Sequence, residues 1–216
     1  MARAYVYVDG FNLYHRRLKP LPNRPGIHRW LDPDALARFL LPEHDVVGVR
    51  YFTADLAPTA DDPGIATRQQ TYLRALRTVD GLTIHKGQFK AREVSGRVVL
   101  PESIAGQICT IERWEEKGTD VSLGAHLVAD AFLDRYDIAA VISNDSDLRE
   151  PVRLVREEVG KVVGVLLPIR RISRAQIPAD FVKAISAEAL RASQFPDELV
   201  DRQGRTVRKP AAWSAS

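Results

Sequence analysis

Residues 138–148 read Ile-Ala-Ala-Val-Ile-Ser-Asn-Asp-Ser-Asp-Leu. The unbroken apolar run at 138–142 is typical of a short strand that is buried on both faces, as in a parallel sheet covered by helices. Asp145 and Asp147 follow it, and a helical pattern begins at Leu148. Ligands bind at the carboxyl ends of strands in open α/β sheets. The stretch therefore predicts a parallel α/β fold with two carboxylates at its ligand-binding edge, although Asp147 alone is equally explained as the N-cap of the helix.

A second strand end near the start of the chain has the same arrangement. Residues 4–8 are aromatic and β-branched, which predicts a strand, and Asp9 and Gly10 follow it directly. Glycine allows the backbone to turn sharply or to approach a ligand closely. Asn12 is either a group that orients a water or a phosphate oxygen, or only a turn or cap residue.

Further strands alternate with helices along the chain. Apolar runs predict strands at 46–52, 82–85 and 161–167. Helical spacing predicts helices at 33–41, 65–79, 148–159 and 179–192, and one that Thr119 caps and that carries Asp120 in its first turn. Five strands alternating with helices imply a doubly wound parallel sheet with helices on both faces.

Four aspartates are expected at one edge of this sheet. If the strand order reverses between the first strand (4–8) and the fourth (138–142), Asp9 and Asp145 face each other there, with Asp120 and Asp147 at the rim. Carboxylates this close do not all stay ionised without a cation, because like charges raise one another's pKa values. Mg²⁺ or Mn²⁺ takes oxygen ligands, retains waters and also binds substrate phosphate. The acids therefore predict metal-assisted phosphoryl displacement.

Other chemistries lose support from the sequence. Neither a G-x-G-x-x-G nor a P-loop follows the first strand, and there is no G-x-S-x-G for a serine hydrolase. The five histidines lack ligand spacing, and the single cysteine, Cys109, rules out a multi-cysteine zinc site and an intramolecular disulfide.

Basic residues gather in a segment that interrupts the alternation of strands and helices. Residues 86–100 predict a β-hairpin with its tip at 94–98, because Gly96 suits a turn. Basic residues beside Phe89 are suited to following a phosphate backbone while the ring stacks on a base, although a solvated hairpin explains them at least as well. The candidates for substrate contact are Lys86, Lys90, Arg92, Lys117, Arg170, Arg171 and Arg174.

Length and composition limit the protein class. The chain has 216 residues, which suits one domain, and its 45% hydrophobic content is enough for a sizeable core. A formal charge of +3 permits a polyanionic partner. No apolar run approaches the roughly 18 residues of a membrane span, so we expect a cytoplasmic protein with no membrane partner. Residues 193–216 are polar and basic and predict an extended or partly mobile tail.

Three segments carry a family resemblance. They are Asp9-Gly10-Phe11-Asn12-Leu13-Tyr14, Lys117-Gly118-Thr119-Asp120-Val121 and Ser143-Asn144-Asp145-Ser146-Asp147. Together, over roughly 4–167, they resemble the signature motifs of the NYN domain family, the LabA-like branch of the PIN-like ribonucleases. The resemblance implies a Rossmann-like (PIN-like) five-stranded parallel sheet in the order 3-2-1-4-5. It also implies Mg²⁺- or Mn²⁺-dependent cleavage of RNA that leaves 5′-phosphate and 3′-hydroxyl ends.

The resemblance also implies roles for particular residues. Those expected to hold the metal and carry catalysis are Asp9, Asp120, Asp145 and Asp147, with Asn12 in support. Ser143 and Ser146 join the basic residues as candidates for substrate binding. His126 stands where many members of the family have a further Asp, and Asn144 where many have Gly, so the number of metals stays open.

The remaining expectations concern domain organisation and the alternatives to a nuclease. Residues 1–192 are expected to form the nuclease domain, with the hairpin inserted near 86–100 and the tail after it. The RNA can be single-stranded or structured, and the protein can be a monomer or a homodimer. Two other functions stay open: a non-catalytic, metal-binding RNA-binding or regulatory module, and a phosphohydrolase for small nucleotides.

Overall fold

A computed structural model describes residues 1–20, 26–169 and 175–214 of the chain. The strands are β1 (Arg3–Asp9), β2 (Asp45–Ala54), β3 (Leu82–Arg97), β4 (Ile108–Lys117), β5 (Ile138–Ile142), β6 (Val162–Leu167), β7 (Phe181–Ala184), β8 (Glu198–Val200) and β9 (Thr206–Arg208). Seven of them form one sheet in the order β4-β3-β2-β1-β5-β6-β7, in which only the β3–β4 pair is antiparallel. A separate antiparallel pair joins β8 and β9.

The helices are short and several continue into other helical turns. They are α1 (Gly10–Leu13) with a π-helical extension at Tyr14–Leu18, α2 (Pro33–Leu40), α3 (Ile65–Leu76), α4 (Thr119–Phe132), α5 (Arg149–Leu154) between a 3₁₀ turn at Ser146–Leu148 and a π-helical turn at Val155–Val159, and α6 (Ala187–Ala192). Single 3₁₀ turns lie at Glu102–Ile104 and Ala211–Trp213. In the part of the chain that the structure describes, none of the helices has the length and apolarity of a bilayer span.

Two hydrophobic clusters cover the two faces of the sheet. Val6 and Val8 of β1 point to one cluster, which α2, α3 and α6 complete, while Tyr7 points to the other, which α4 and α5 complete. This alternation follows from the two-residue period of a strand. All five residues of β5 are buried, as its unbroken apolar run predicts. The predicted mixed α/β fold with a mainly parallel sheet is confirmed.

The strand count and the full strand order were predicted wrongly. The sheet has seven strands rather than five. The predicted order 3-2-1-4-5 leaves out both edge strands, which are the antiparallel β4 at one edge and β7 at the other. Residues 181–184 were assigned to a helix spanning 179–192, but they pair in parallel with β6, and only 187–192 are helical. A four-residue strand at a sheet edge has too few positions to separate a period of 2 from one of 3.6.

The predicted hairpin exists, but its tip lies elsewhere. β3 continues to Arg97 and pairs with β4 from Gln88–Lys117 to Arg97–Ile108, so the connection is 98–107 rather than 94–98. Gly96 pairs with Cys109 inside the ladder instead of forming a turn. The result is a long two-stranded arm that carries exposed apolar side chains such as Ile111 and Trp114.

Residues 194–214 are folded onto the domain, where an extended or partly mobile tail was predicted. Trp213 is buried against Trp30, with ring centroids 6.1 Å apart, and Phe195 packs on the same indole at 5.8 Å. The Trp30 indole N–H donates to the carbonyl of Pro196 over 2.7 Å. Burial of these large rings outweighs the polar composition that suggested a tail.

Candidate active site

Parallel pairing of β1 and β5 brings the ends of the two strands together. The register places Val8 beside Ile142, so Asp9 and Ser143 emerge side by side. The Ser143 hydroxyl donates to Asp9 Oδ2 over 2.9 Å, and Asp9 is only 6% exposed. The ends of the first and fourth predicted strands therefore lie next to each other, and Asp9 and Asp145 line one groove there.

Asp9 is held by the helix that follows it. Asp9 Oδ1 accepts the backbone N–H of Asn12 over 2.9 Å, which makes Asp9 the N-cap of α1. Gly10 has no room for a side chain, because a Cβ there would lie 2.7 Å from the Phe52 carbonyl oxygen and 2.8 Å from the ring of Tyr51. The close approach of backbone to backbone, which glycine permits, sets the direction of Asp9.

Asn12 connects the two strand ends. Its Oδ1 accepts the backbone N–H of Asn144 over 3.2 Å. Asn144 Oδ1 in turn accepts the backbone N–H of Gln176 over 3.1 Å. Asn12 thus orders the loop that leads to Asp145, and this contact favours a positioning role over a simple turn residue.

Asp145, and not Asp147, caps the turn after β5. Asp145 Oδ1 accepts the backbone N–H of Asp147 over 3.1 Å, and its own backbone N–H donates to Ser143 Oγ over 3.1 Å. Asp147 was the residue considered for the N-cap as an alternative to a ligand role, and its side chain is exposed. A 3₁₀ turn precedes α5 and shifts the cap two residues toward the strand.

The third acid comes from the start of α4. Gly118, with φ at +98°, is the residue before the helix, so Thr119 is not the N-cap as predicted but the first helical residue. The Thr119 hydroxyl and backbone N–H both donate to Glu116, over 2.6 and 3.1 Å. Asp120 therefore lies close enough to Asp9 for their charges to interact, and Glu116, which stands just before the second motif, adds a further carboxylate.

The carboxylates repel one another. Burial raises the pKa of Asp120 to about 6, and the negative charges of Asp9, Asp145, Glu116 and Asp147 add to the shift. Burial also raises the pKa of Asp9, against the hydrogen bonds from Asn12 and Ser143, which lower it. A cation in this position would remove the repulsion.

These side chains line an open groove of about 370 Å³. Its walls are Asp9, Phe11, Asn12, His15, Arg16, Leu56, Phe89, Glu116, Thr119, Asp120 and Asp145. His15 and Arg16 lie directly after the first motif, and Glu116 lies directly before the second. These three residues were not predicted for the site, and only their position next to the motifs could have indicated them.

The donor set has the chemistry of a hard-cation site. Its potential ligands are carboxylate oxygens, which suit Mg²⁺ or Mn²⁺. Among residues 1–20, 26–169 and 175–214, however, no three His, Cys, Asp or Glu side chains converge as a ready-made ligand cluster. The residues fit an ion such as Mg²⁺, which is usually held by one or two carboxylates and keeps several waters.

The residues expected to contact substrate are dispersed. Lys86 pairs with Asp55 over 2.7 Å and Lys117 with Glu115 over 2.8 Å. Because side chains alternate along a strand, Lys90 and Arg92 lie on the face of the arm opposite to Phe89, which lines the groove. Ser143 is buried against Asp9, and Ser146 is exposed beside Asp145. Arg170, Arg171 and Arg174 lie outside the described residues.

A second charged cluster lies further along α4. Asp130 is fully buried and accepts from Arg50 Nε over 2.7 Å and Nη2 over 3.0 Å, from the Tyr7 hydroxyl over 2.8 Å and from Arg135 over 2.8 Å. His126 does not face the groove but lies against His85, with ring centroids 4.2 Å apart. Neither residue therefore supplies a further ligand to the groove.

Comparison with known proteins places the chain in a family. It is 26% identical to the 6-hydroxy-3-succinoylpyridine 3-monooxygenase HspA of Pseudomonas putida (strain DSM 28022 / S16), over 98% of this chain and 75% of that protein. The crystal structure of a protein of unknown function, VPA0982 from Vibrio parahaemolyticus RIMD 2210633, shares the fold, with a TM-score of 0.52 and 17% identity over 90% of this chain and 96% of that one. The NYN domain model matches residues 3–191, and the chain therefore belongs to the NYN domain family, as its three motifs predicted.

Proposed function

We propose that the protein is a Mg²⁺- or Mn²⁺-dependent ribonuclease. The observation that carries the proposal is the meeting of Asp9, Asp120 and Asp145 in one open groove, where burial and mutual repulsion raise the pKa values of Asp9 and Asp120. Mutually repelling carboxylates at the strand-order reversal of an α/β sheet favour a cation and a phosphate-bearing substrate. Family membership favours RNA as that substrate.

In this proposal the residues of the groove divide into ligands and positioning groups. Asp9 and Asp145 would hold the metal, with Asp120 and Asp147 binding it directly or through water. The bound metal supplies charge neutralisation and acidifies water for phosphodiester hydrolysis. Ser143 and Asn12 fix the orientation of Asp9 and of the loop before Asp145.

The groove wall supplies what an RNA strand needs beside the acids. Arg16 places a positive charge near the carboxylates, and Phe11 and Phe89 form an edge-to-face pair with centroids 5.7 Å apart. Aromatic side chains next to basic ones suit a single strand, whose bases stack while its phosphates are neutralised. Hydrolysis breaks the bond between phosphorus and the 3′-oxygen, the water oxygen stays on phosphorus, and a proton passes to the leaving 3′-oxygen.

A second candidate function comes from the relative in Pseudomonas putida. That protein is named for oxidation of a substituted pyridine. An aromatic-lined cavity beside the groove favours a comparable heteroaromatic substrate for this chain. Oxygenation would also require a reductant, and the sequence has no G-x-G-x-x-G after its first strand to bind a dinucleotide.

Cleavage of end-labelled single-stranded RNA tests the leading proposal. We expect the wild type to cut RNA with Mn²⁺ or Mg²⁺ and not with EDTA. In Asp145→Asn the cleavage rate should fall by more than about a hundredfold, because substituting a residue that only supports a metal ligand already lowers metal affinity or activity 10–100-fold. Asp61→Asn, an exposed carboxylate in the loop before α3, is the matched control and should cut normally. Equal cutting by Asp145→Asn would show that the groove is not the site. RNA binding without cutting would favour the regulatory module, and turnover of mononucleotides alone would favour the phosphohydrolase.

A further inference from the structure

A second cavity adjoins the acidic groove and shares a wall with it. Phe11, His15 and Leu56 line both spaces. The cavity has a volume of about 150 Å³ and lies between α1, β2, α3 and the C-terminal 3₁₀ turn. We call it the aromatic pocket, because six of its lining residues carry aromatic rings: Phe11, Tyr14, His15, Tyr51, Tyr72 and Trp213.

The rings of the pocket are held in fixed positions. The Tyr72 hydroxyl donates to the Leu31 carbonyl over 2.9 Å, and the Tyr72 ring packs at 6.0 Å on Trp213 and at 6.1 Å on Tyr51. Arg29 lies 5.4 Å above the Trp213 ring and donates to the Ala212 carbonyl over 2.6 Å. The C-terminal segment therefore forms a rigid wall of the pocket.

Polar groups stand at defined points among these rings. Gln69 accepts the backbone N–H of Leu56 and donates to the Ala54 carbonyl, both over 2.8 Å, so its side-chain amide is oriented. Thr53 is buried beside it, and Arg68 pairs with Asp62 on the opposite side. An apolar space with a few oriented polar groups is typical of a site for a small planar ligand.

The size of the pocket limits the ligand to one ring. An apolar protein cavity of about 150 Å³ holds a benzene molecule. A pyrimidine base has one six-membered ring with polar substituents on its edge, whereas a purine adds a second ring. From the volume, the aromatic lining and the wall shared with the acidic groove, we infer that the pocket binds a pyrimidine base of the RNA, next to the phosphate in the groove. This inference rests on the proposed function for its choice of RNA.

Binding of mononucleotides in Mg²⁺ tests the pocket without requiring catalysis, because a mononucleotide has no bond between nucleosides to be cleaved. Binding is followed by quenching of tryptophan fluorescence with uridine 5′-phosphate, adenosine 5′-phosphate or ribose 5-phosphate. The comparison distinguishes the contribution of the base from that of the sugar phosphate, and Trp213→Phe identifies the quenched residue. We expect uridine 5′-phosphate to bind at least about tenfold more tightly than ribose 5-phosphate, the scale of one stacked base, and more tightly than adenosine 5′-phosphate.

A variant that fills the pocket provides the second measurement. Ile65 lines the aromatic pocket but not the groove. Ile65→Phe should reduce the affinity for uridine 5′-phosphate to that for ribose 5-phosphate, while Ile65→Leu, the matched control, should keep the preference. If Ile65→Phe fails to fold, loss of quenching in Trp213→Phe gives the same assignment.

The outcomes separate this inference from the proposed nuclease. Equal binding of uridine 5′-phosphate and ribose 5-phosphate overturns the base pocket, whether or not RNA is cut. Base-dependent binding without any cleavage supports the pocket while the nuclease proposal fails. Binding of pyridine-3-carboxylate in the pocket with no binding of uridine 5′-phosphate overturns the assignment to RNA and favours a small heteroaromatic substrate.

Discussion

Two aspartates on one helix have opposite surroundings. Asp130, near the end of α4, is surrounded by donors; burial alone would raise its pKa, but the hydrogen bonds from Arg50 and Tyr7, with the charge of Arg50, lower it overall. Asp120, in the first turn, has carboxylates as its neighbours, and its pKa is raised to about 6 by burial and by those charges. The first carboxylate is compensated within the fold, and the second is not.

The difference separates a structural acid from a functional one. A buried charge is tolerated when its partners are present, and breaking such a pair is strongly destabilising. A group of uncompensated carboxylates lowers the free energy of unfolding. Such groups are typical of functional sites, where a bound ligand removes the repulsion. The contrast indicates that Asp130 stabilises the sheet–helix packing, and it supports the ligand-binding role proposed for Asp120.

The largest effect on stability is expected from Asp130→Asn. The substitution leaves Arg50 buried without its counter-charge, so the free energy of unfolding should fall by about 3 kcal/mol or more. Urea unfolding followed by circular dichroism measures the change. Asp80→Asn, which removes an exposed pair with Arg202, is the control and should change stability by less than about 1 kcal/mol. A change of similar size in both variants would refute the structural role of Asp130.

Metal binding should stabilise the protein through the groove. At a Mg²⁺ concentration ten times the dissociation constant, the gain is about 1.4 kcal/mol by mass action. Thermal unfolding of the wild type with Mg²⁺ or EDTA measures it, and Asp145→Asn should lose most of the shift while Asp130→Asn keeps it. Because protons compete for carboxylates, the shift should shrink below about pH 6. An identical shift in Asp145→Asn would place the ion elsewhere.

Asp120→Asn should stabilise the metal-free protein by about 1 kcal/mol, in the range of other relieved active-site charges. Folding raises the pKa of Asp120 from 3.8 to about 6. The ionised carboxylate therefore destabilises the folded protein fully above pH 6, less as the pH falls from 6 to 3.8, and not at all below pH 3.8. The difference between variant and wild type should therefore be present at pH 8 and vanish near pH 4. Unfolding curves across this range measure it, and destabilisation at pH 8 would contradict the repulsion.

The smallest effect is expected from the histidine pair. Burial, with the positive charges of His126 and Arg50, lowers the pKa of His85 from 6.5 to about 4. The unfolded chain takes up the proton first, so the stability from neutral His85 is complete above pH 6.5 and is lost as the pH falls toward 4. His85→Gln should flatten the decline in melting temperature between these values. If the melting temperature declines as steeply in the variant as in the wild type, groups other than His85 cause the decline.

The two edges of the sheet show where prediction from the sequence was limited. β1 and β5 are central strands, and their unbroken apolar runs predicted both their positions and the acids that follow them. β4 and β7 are the edge strands. An edge strand pairs with only one neighbour, and its residues need not be apolar. Their strand character comes from pairing with β3 and β6, which are distant contacts that local periodicity does not encode.

The groove itself shows the same limit. The motifs predicted Asp9, Asp120 and Asp145, and the fold brings these three to one cavity, although their roles remain predictions. The basic residues of the arm were proposed from composition, which does not record that alternate side chains of a strand face opposite ways. Glu116, His15 and Arg16 reach the groove only because of the direction of β4 and of the π-helical turn after α1.

The elements whose signals are local could be predicted from the amino-acid sequence. These are the buried strands β1 and β5, the aspartates at their ends and the family motifs, since each depends on neighbours within a few residues. Three features follow from the tertiary fold: Asp130 is paired while Asp120 is not, the C-terminal segment closes an aromatic pocket, and the face of the arm that carries Phe89 meets the groove. Those outcomes depend on contacts between residues as far apart as Arg50 and Asp130, which exist only once the sheet has formed.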